Sequence, residues 1–336
     1  VSSAQEKGAA LPPPPGFASR LLGGFLRWRE ASIIMVAVLL TLYFQAANSN
    51  FLTGANLQTL SQFIAASAII ACGEIMLLIC GEIDLSAGHV FALAPFIMYF
   101  ANQAGLPIGL ALLVALLGSG LVGLFNGLIT VKLKVPSFVT TLGTLYLLNG
   151  FTLTISHGSP VDTGGSEAFA NIMGASGYAE IIWAFLIVGI MHFVLRQTRW
   201  GLHTIAAGGN LVGAAESGIN VGRIKIGNFV LTSMLAGFTG IIEAFRISST
   251  DPLAGGTPIM FLAVAAGVIG GTPLAGGSGT VLGGLIGAIV LGVLRDGFTL
   301  QGINAFTFDM IIGAFILIAM ISNIHVGRWQ RRGGRI

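Results

Sequence analysis

The chain has 336 residues, of which 54% are hydrophobic and only 9% are Asp, Glu, Lys or Arg, where soluble domains carry about 25% charged residues. That balance excludes an ordinary water-soluble enzyme, and 49 glycines in a chain of mean hydropathy +0.88 exclude collagen-like and disordered classes. A net charge of +3 marks no nucleic-acid-binding surface, and the length suits a polytopic membrane protein of up to about ten spans.

Residues 1–30 form a tail with an extended polyproline spacer at Pro12 to Pro15. The tail lacks the hydrophobic core of a cleavable signal, so the first span is expected to serve as the insertion signal. Apolar runs that cross, or nearly cross, a ~30 Å hydrocarbon layer predict ten spans, at 32–47, 60–80, 85–99, 107–131, 138–155, 181–195, 226–245, 259–269, 280–294 and 306–322. The third and eighth are short and punctuated by Gly or Pro. Eight spans plus two re-entrant elements is therefore the alternative. In either case the fold class is an all-α transmembrane bundle over 31–325, followed by a basic tail at 326–336.

Lys and Arg are enriched on the cytoplasmic side of a membrane protein. With the N-terminus inside, ten spans place Lys7, Arg20, Arg27, Arg29, Lys132, Lys134, Arg196, Arg199, Arg223, Lys225, Arg328, Arg331, Arg332 and Arg335 in the cytoplasm. Only Arg246 and Arg295 fall outside, a division of 14 to 2 that predicts two cytoplasmic termini. The 156–180 connection carries Asp162, Glu167 and Glu180 without Lys or Arg, which assigns it to the outer face. The 196–225 connection is predicted to be cytoplasmic and to contain a short helix of its own.

No phosphate-binding Gly-x-x-x-x-Gly-Lys-Ser/Thr loop occurs, so the chain has no recognisable means of hydrolysing ATP. HExxH, paired CxxC and Gly-x-Ser-x-Gly patterns are also missing, and neither a metal site nor a catalytic residue is predicted. Gly118-Ser119-Gly120-Leu121-Val122-Gly123 matches the dinucleotide string, but it lies inside an apolar span and reads as a helix-packing face. Gly123 with Gly127, and Gly283 with Gly287, read the same way. Cys72 and Cys80 are eight residues apart, or ~12 Å on a helix, too far for a disulfide.

Ionisable groups inside spans are costly, at roughly 2.5 to 3.5 kcal/mol each near a helix centre. Glu74, Glu243 and Asp309 qualify, and Asn126, Asn149 and Gln62 are weaker instances. Each is either a structural hydrogen-bonding group or a lining residue of a polar pathway. So few charges give little support to proton- or sodium-coupled transport.

The string Gly81-Glu82-Ile83-Asp84-Leu85-Ser86-Ala87-Gly88 follows an apolar segment, as Gly270-Gly271-Thr272-Pro273-Leu274-Ala275-Gly276-Gly277 does in the second half. This weak echo suits a duplicated transporter architecture. By parity the first string faces the cytoplasm, where Asp84 or Ser86 is expected to cap the next helix and where contact with a cytoplasmic partner is a second reading.

Three stretches resemble a known family, the membrane permeases of bacterial ATP-binding-cassette importers for ribose, xylose, arabinose and similar monosaccharides. The 81–88 string is similar to the family's Gly-Gly-Ile-Asp-Leu-Ser-x-Gly, with Glu82 in place of the second glycine. Val135-Pro136-Ser137-Phe138-Val139-Thr140-Thr141-Leu142-Gly143-Thr144 is a second signature. The third comprises Ala207-Gly208-Gly209-Asn210 and Ala214-Ala215-Glu216-Ser217-Gly218-Ile219 in the inner loop, although no Arg follows its alanines. The resemblance implies a coupling helix, about 211–217, that docks into a separate ATPase. It further implies a second permease copy or paralogue, a periplasmic sugar-binding protein that meets the 156–180 loop, and ATP-Mg bound on the partner ATPase. No cofactor is implied in this chain, and lipid is the only other contact. Related permeases for a nucleoside, a furanose signal or a branched-chain amino acid are the nearest alternatives. A secondary carrier and a non-transporting scaffold are alternatives of other classes.

Overall fold

The computed structural model describes residues 30–304 and, beyond them, 307, 310–314, 317, 318 and 321. Asp309, the polyproline spacer, both tails and part of the tenth predicted span lie outside the described residues. The twelve helices of 30–304 are α1 (Ala31–Ala47), α2 (Gly54–Ile79), α3 (Ala87–Gln103), α4 (Ile108–Lys132), α5 (Ser137–Ile155), α6 (Glu167–Ala170), α7 (Ala179–Gln197), α8 (Arg199–Gly209), α9 (Leu211–Glu216), α10 (Val221–Ile247), α11 (Gly256–Ile269) and α12 (Val281–Leu300). A π-helical turn, Asn171–Ala175, follows α6. Every span predicted within 30–304 is a helix, and α2, α4, α5, α7, α10 and α12 are long and apolar enough to cross a membrane.

A helix that is apolar on all sides belongs at the centre of a bundle, and α2 is buried continuously from Ser67 to Ile79. α7, α10, α11 and α12 pack around it, and α3 packs on α4, α10 and α11. α4 and α5 lie outside that ring, where Leu113, Leu117, Leu121, Tyr146, Leu147 and Phe151 remain exposed as an apolar belt. The small-residue faces make the contacts expected of them. A Cβ at Gly123 would stand 2.3 Å from the Phe229 carbonyl oxygen, and one at Gly287 would stand 2.1 Å from that of Ala266. Backbones can approach this closely only where side chains are missing.

The connections alternate between two ends of the bundle. At the basic end, Gly277 donates its N–H to the Ile79 carbonyl and Glu82 pairs with Lys225, so the loops after α2 and α11 and the start of α10 meet there. At the opposite end, Asn48 donates to the Leu300 carbonyl and Val161 bridges antiparallel to Thr250. The 156–178 connection folds back on this end. Gly174 in its π turn packs against the Ile242 carbonyl, and Trp183 Nε1 donates to the Ile172 carbonyl.

The two weak segments prove to be short helices that meet. α11 has 14 residues, a rise of ~21 Å that falls short of a ~30 Å layer. α3 has 17 residues and contains Pro95. Their N-termini abut inside the bundle, where a Cβ on Gly88 would stand 1.9 Å from the Gly256 carbonyl oxygen. From this joint α11 runs to the basic end, where Gly267 meets Ile75 and Leu78, while α3 runs to the other end, where Asn102 approaches Gly164.

Candidate transport site

The 81–88 string was expected at the surface, and the structure corrects this. Only its start is near solvent, and there Glu82 pairs with Lys225, so the acid that departs from the family pattern finds a base on α10. Asp84, Ser86 and Gly88 are buried. Neither expected cap forms by the usual geometry: Ser86 occupies the N-cap position of α3 but makes no side-chain cap bond. Its hydroxyl donates to Asp84 Oδ1 at 2.6 Å, and Asp84 Oδ1 also accepts the Ser86 N–H at 2.9 Å. Capping loses here because the bundle supplies partners from other helices.

Asn126 of α4 donates to Ser86 Oγ at 2.9 Å, Thr144 of α5 donates to Asn126 Oδ1 at 2.7 Å, and Ser233 of α10 donates to Asp84 Oδ2 at 3.3 Å. Glu74 of α2 accepts the Asp84 N–H at 3.4 Å. The result is a dry polar knot joining α2, the start of α3, α4, α5 and α10. Of the intramembrane polar residues, Glu74 and Asn126 hold this knot, the structural hydrogen-bonding alternative, and Asn149 is half-buried on α5 and belongs to no described cluster.

The inner-loop signature forms two helices at the basic end. Asn210 caps α9 by accepting the Gly213 N–H at 3.0 Å, and Gly218 leaves the helix with φ +82, a left-handed conformation that favours glycine. The signature residues divide by role. A Cβ at Gly208 would stand 1.8 Å from the Ile79 carbonyl oxygen, so Gly208 fixes α8 to the end of α2. Ala214 is buried, whereas Leu211, Val212, Ala215, Glu216, Ser217 and Gly218 are exposed, and nothing lies within 4 Å of a Cβ at Gly209. The two alanines thus face different surroundings: one seats the helix and the other is presented.

Glu243 occupies a third place, near the opposite end. It holds Arg246 through both carboxylate oxygens, with Arg246 Nε at 2.8 Å from Glu243 Oε2, and Arg246 Nε also lies 3.4 Å from Glu180 Oε1. Glu243 and Arg246 line a cavity of about 290 Å³ with Gln62 and Phe63 of α2, Pro258 of α11 and Arg295 of α12. The Arg295 guanidinium lies 4.5 Å from the centre of the Phe63 ring. The two basic residues that the charge count left outside therefore come together at one cavity. Their exceptional side was the available signal, and only the fold shows that they meet.

Among the described residues, no group of three or more His, Cys, Asp or Glu is placed to hold a metal ion. The family described as branched-chain amino acid transport system / permease component matches residues 55–320. The chain belongs to this permease family. It is a multi-pass transport subunit, and membership carries the partners usual for such an importer: an ATPase, a binding protein and a second permease. Relatives align over nearly their whole length. The xylose/arabinose import permease of Sulfolobus acidocaldarius is 36% identical over 311 residues, covering 89% of this chain and 86% of the relative. The ribose import permease of Escherichia coli K12 is 36% identical over 300 residues, covering 87% and 90%. The L-arabinose permease of Azospirillum brasilense is 30% identical over 310 residues, covering 91% of each.

Proposed function

We propose that this permease works as a two-copy or paralogous assembly in the bacterial inner membrane and passes a monosaccharide, most simply a pentose, into the cytoplasm. The observation that carries the substrate class is the end-to-end alignment with permeases named for xylose, arabinose and ribose. In this reading the basic end faces the cytoplasm and both termini lie there. α9, with exposed Leu211, Val212, Ala215 and Glu216, is the coupling helix that enters a cleft of the ATPase. ATP-Mg acts on that partner, and the 156–178 connection receives the sugar-loaded binding protein. Movement of α9 reaches the bundle through Gly208 on α2 and through Lys225 on Glu82, next to the Asp84 knot, which supports an alternating-access cycle driven from the basic end.

Uptake into vesicles reconstituted with the ATPase and the binding protein tests the proposal. Labelled pentose should accumulate only with ATP; accumulation without nucleotide would indicate a secondary carrier and overturn it. The family's description as a branched-chain amino acid transport permease gives a branched-chain amino acid as the second reading. Uptake of leucine or valine in place of any pentose, by the same vesicles, would select it.

The coupling helix gives a local prediction. Gly209→Leu, Ala215→Leu and Gly218→Leu each add bulk at an exposed position, and at Gly218 also strain the left-handed turn. Each is expected to reduce copurification of the ATPase and ATP-driven uptake at least about tenfold, the result of losing ~1.4 kcal/mol of docking energy. Permease abundance should be kept. Normal copurification and full uptake in all three would show that α9 is not the docking element.

A further inference from the structure

We propose that the cavity between α2, α10, α11 and α12 is a recognition site for one neutral monosaccharide, with Gln62 and Arg246 as its principal hydrogen-bonding groups. This rests on the sugar-transport reading above and deepens it.

Size is the first argument. About 290 Å³ is at the lower limit of small-molecule sites, which span ~300–1,000 Å³. That admits one sugar ring and excludes an oligosaccharide. The second argument is chemical: a sugar hydroxyl both donates and accepts, so its site needs both kinds of group. The Gln62 amide offers both on one side chain, and among the described residues it makes no intramolecular hydrogen bond. Arg246 is held on Glu243 through Nε and Nη2, which fixes the plane of the guanidinium and leaves Nη1 without a hydrogen-bond partner among the described residues. The Glu243–Arg246 pair presents directed donors without net charge of its own. Arg295, laid against the Phe63 ring, holds a second planar group at the same wall.

Position supplies the third argument. The cavity includes Gly255 and Pro258 at the start of α11 and Phe91 of α3. It therefore borders the joint at which Gly88 meets Gly256. A solute seated there touches both short helices.

The test uses the assembled transporter in lipid nanodiscs, with thiol labelling as the readout. Cys72 and Cys80 are both free and buried, so a new cysteine in the cavity is read against a low background. Pro258→Cys, exposed in the cavity wall, is expected to react with a charged methanethiosulfonate. Free D-ribose, D-xylose or L-arabinose, whichever the wild-type complex transports, should slow the reaction at least about fivefold near saturation, in proportion to the unoccupied fraction. Binding protein is omitted, so docking cannot mask the cavity. Ser159→Cys, exposed in the 156–178 connection, should label at the same rate with and without sugar. In a Pro258→Cys reporter, adding Gln62→Ala should raise the sugar concentration needed for half-protection about tenfold, the effect of losing one hydrogen bond. Unchanged labelling of Pro258→Cys in a complex whose wild type imports that sugar overturns the cavity assignment and leaves the sugar-transport reading standing. Protection by an acidic sugar alone overturns the neutral class. A wild-type complex that imports no neutral sugar overturns the reading and the site together.

Discussion

Asp84→Ala is expected to lower the stability of the permease in detergent by about 3–5 kcal/mol and to abolish uptake. Asp84 is fully buried and accepts from Ser86, Ser233 and Asn126. Alanine would remove the acceptor and leave those donors in a dry interior, where each unsatisfied group costs about 1–3 kcal/mol. Solvent cannot replace the carboxylate without opening the junction of α2, α4, α5 and α10. Asp84→Asn retains one acceptor oxygen, and the Ser233 hydroxyl can rotate to accept from the new amide. It should cost only about 1 kcal/mol. Thermal aggregation and vesicle uptake of the two variants, side by side, measure this. Equal loss in both would mean that charge, not hydrogen-bond count, is what Asp84 contributes.

Gly88→Val is expected to be nearly as damaging, for a steric reason. Its Cβ would fall 1.9 Å from the Gly256 carbonyl oxygen, and Gly256 itself holds φ +64. That backbone has little freedom to withdraw. Overpacking of this kind costs about 3 kcal/mol, and Gly88→Ala should already show most of it because the first carbon makes the clash. Gly143→Ala is the control: no atom lies within 4 Å of the added carbon, and alanine favours a helix interior by about 1 kcal/mol over glycine. It should leave uptake and thermal stability unchanged or slightly raised. A Gly88→Ala variant as stable as Gly143→Ala would refute the close joint between α3 and α11.

Much of this architecture was legible in the sequence, because lipid imposes simple rules. Apolar run length marks α1 to α5, α7 and α10 to α12, and Lys and Arg placement predicts which loops share an end. The short helix implied at about 211–217 by the family resemblance forms at 211–216, where Asn210 supplies its cap and Gly218 its left-handed stop. Asp84 was misplaced for a physical reason. A short acidic string between apolar segments looks like a solvated turn, and only the approach of Asn126, Thr144 and Ser233 from sequence positions far away makes burial tolerable. Ser233 has no periodicity or spacing that would single it out, and Thr144 stands out only as the last residue of the 135–144 signature. The cavity escaped similarly, since Gln62, Glu243 and Arg295 lie on three different helices.

The way α3 and α11 meet has a mechanical consequence. Bending a continuous helix such as α2 would break i to i−4 hydrogen bonds, each of which has no water to replace it in hydrocarbon. At the abutment of Gly88 on Gly256 the chain is already interrupted, and each helix keeps its own ladder intact on either side. Pivoting at that seam breaks no backbone hydrogen bond within either helix. The bundle therefore contains a ready-made articulation, where rigid rods can pivot while every backbone amide they contain stays satisfied.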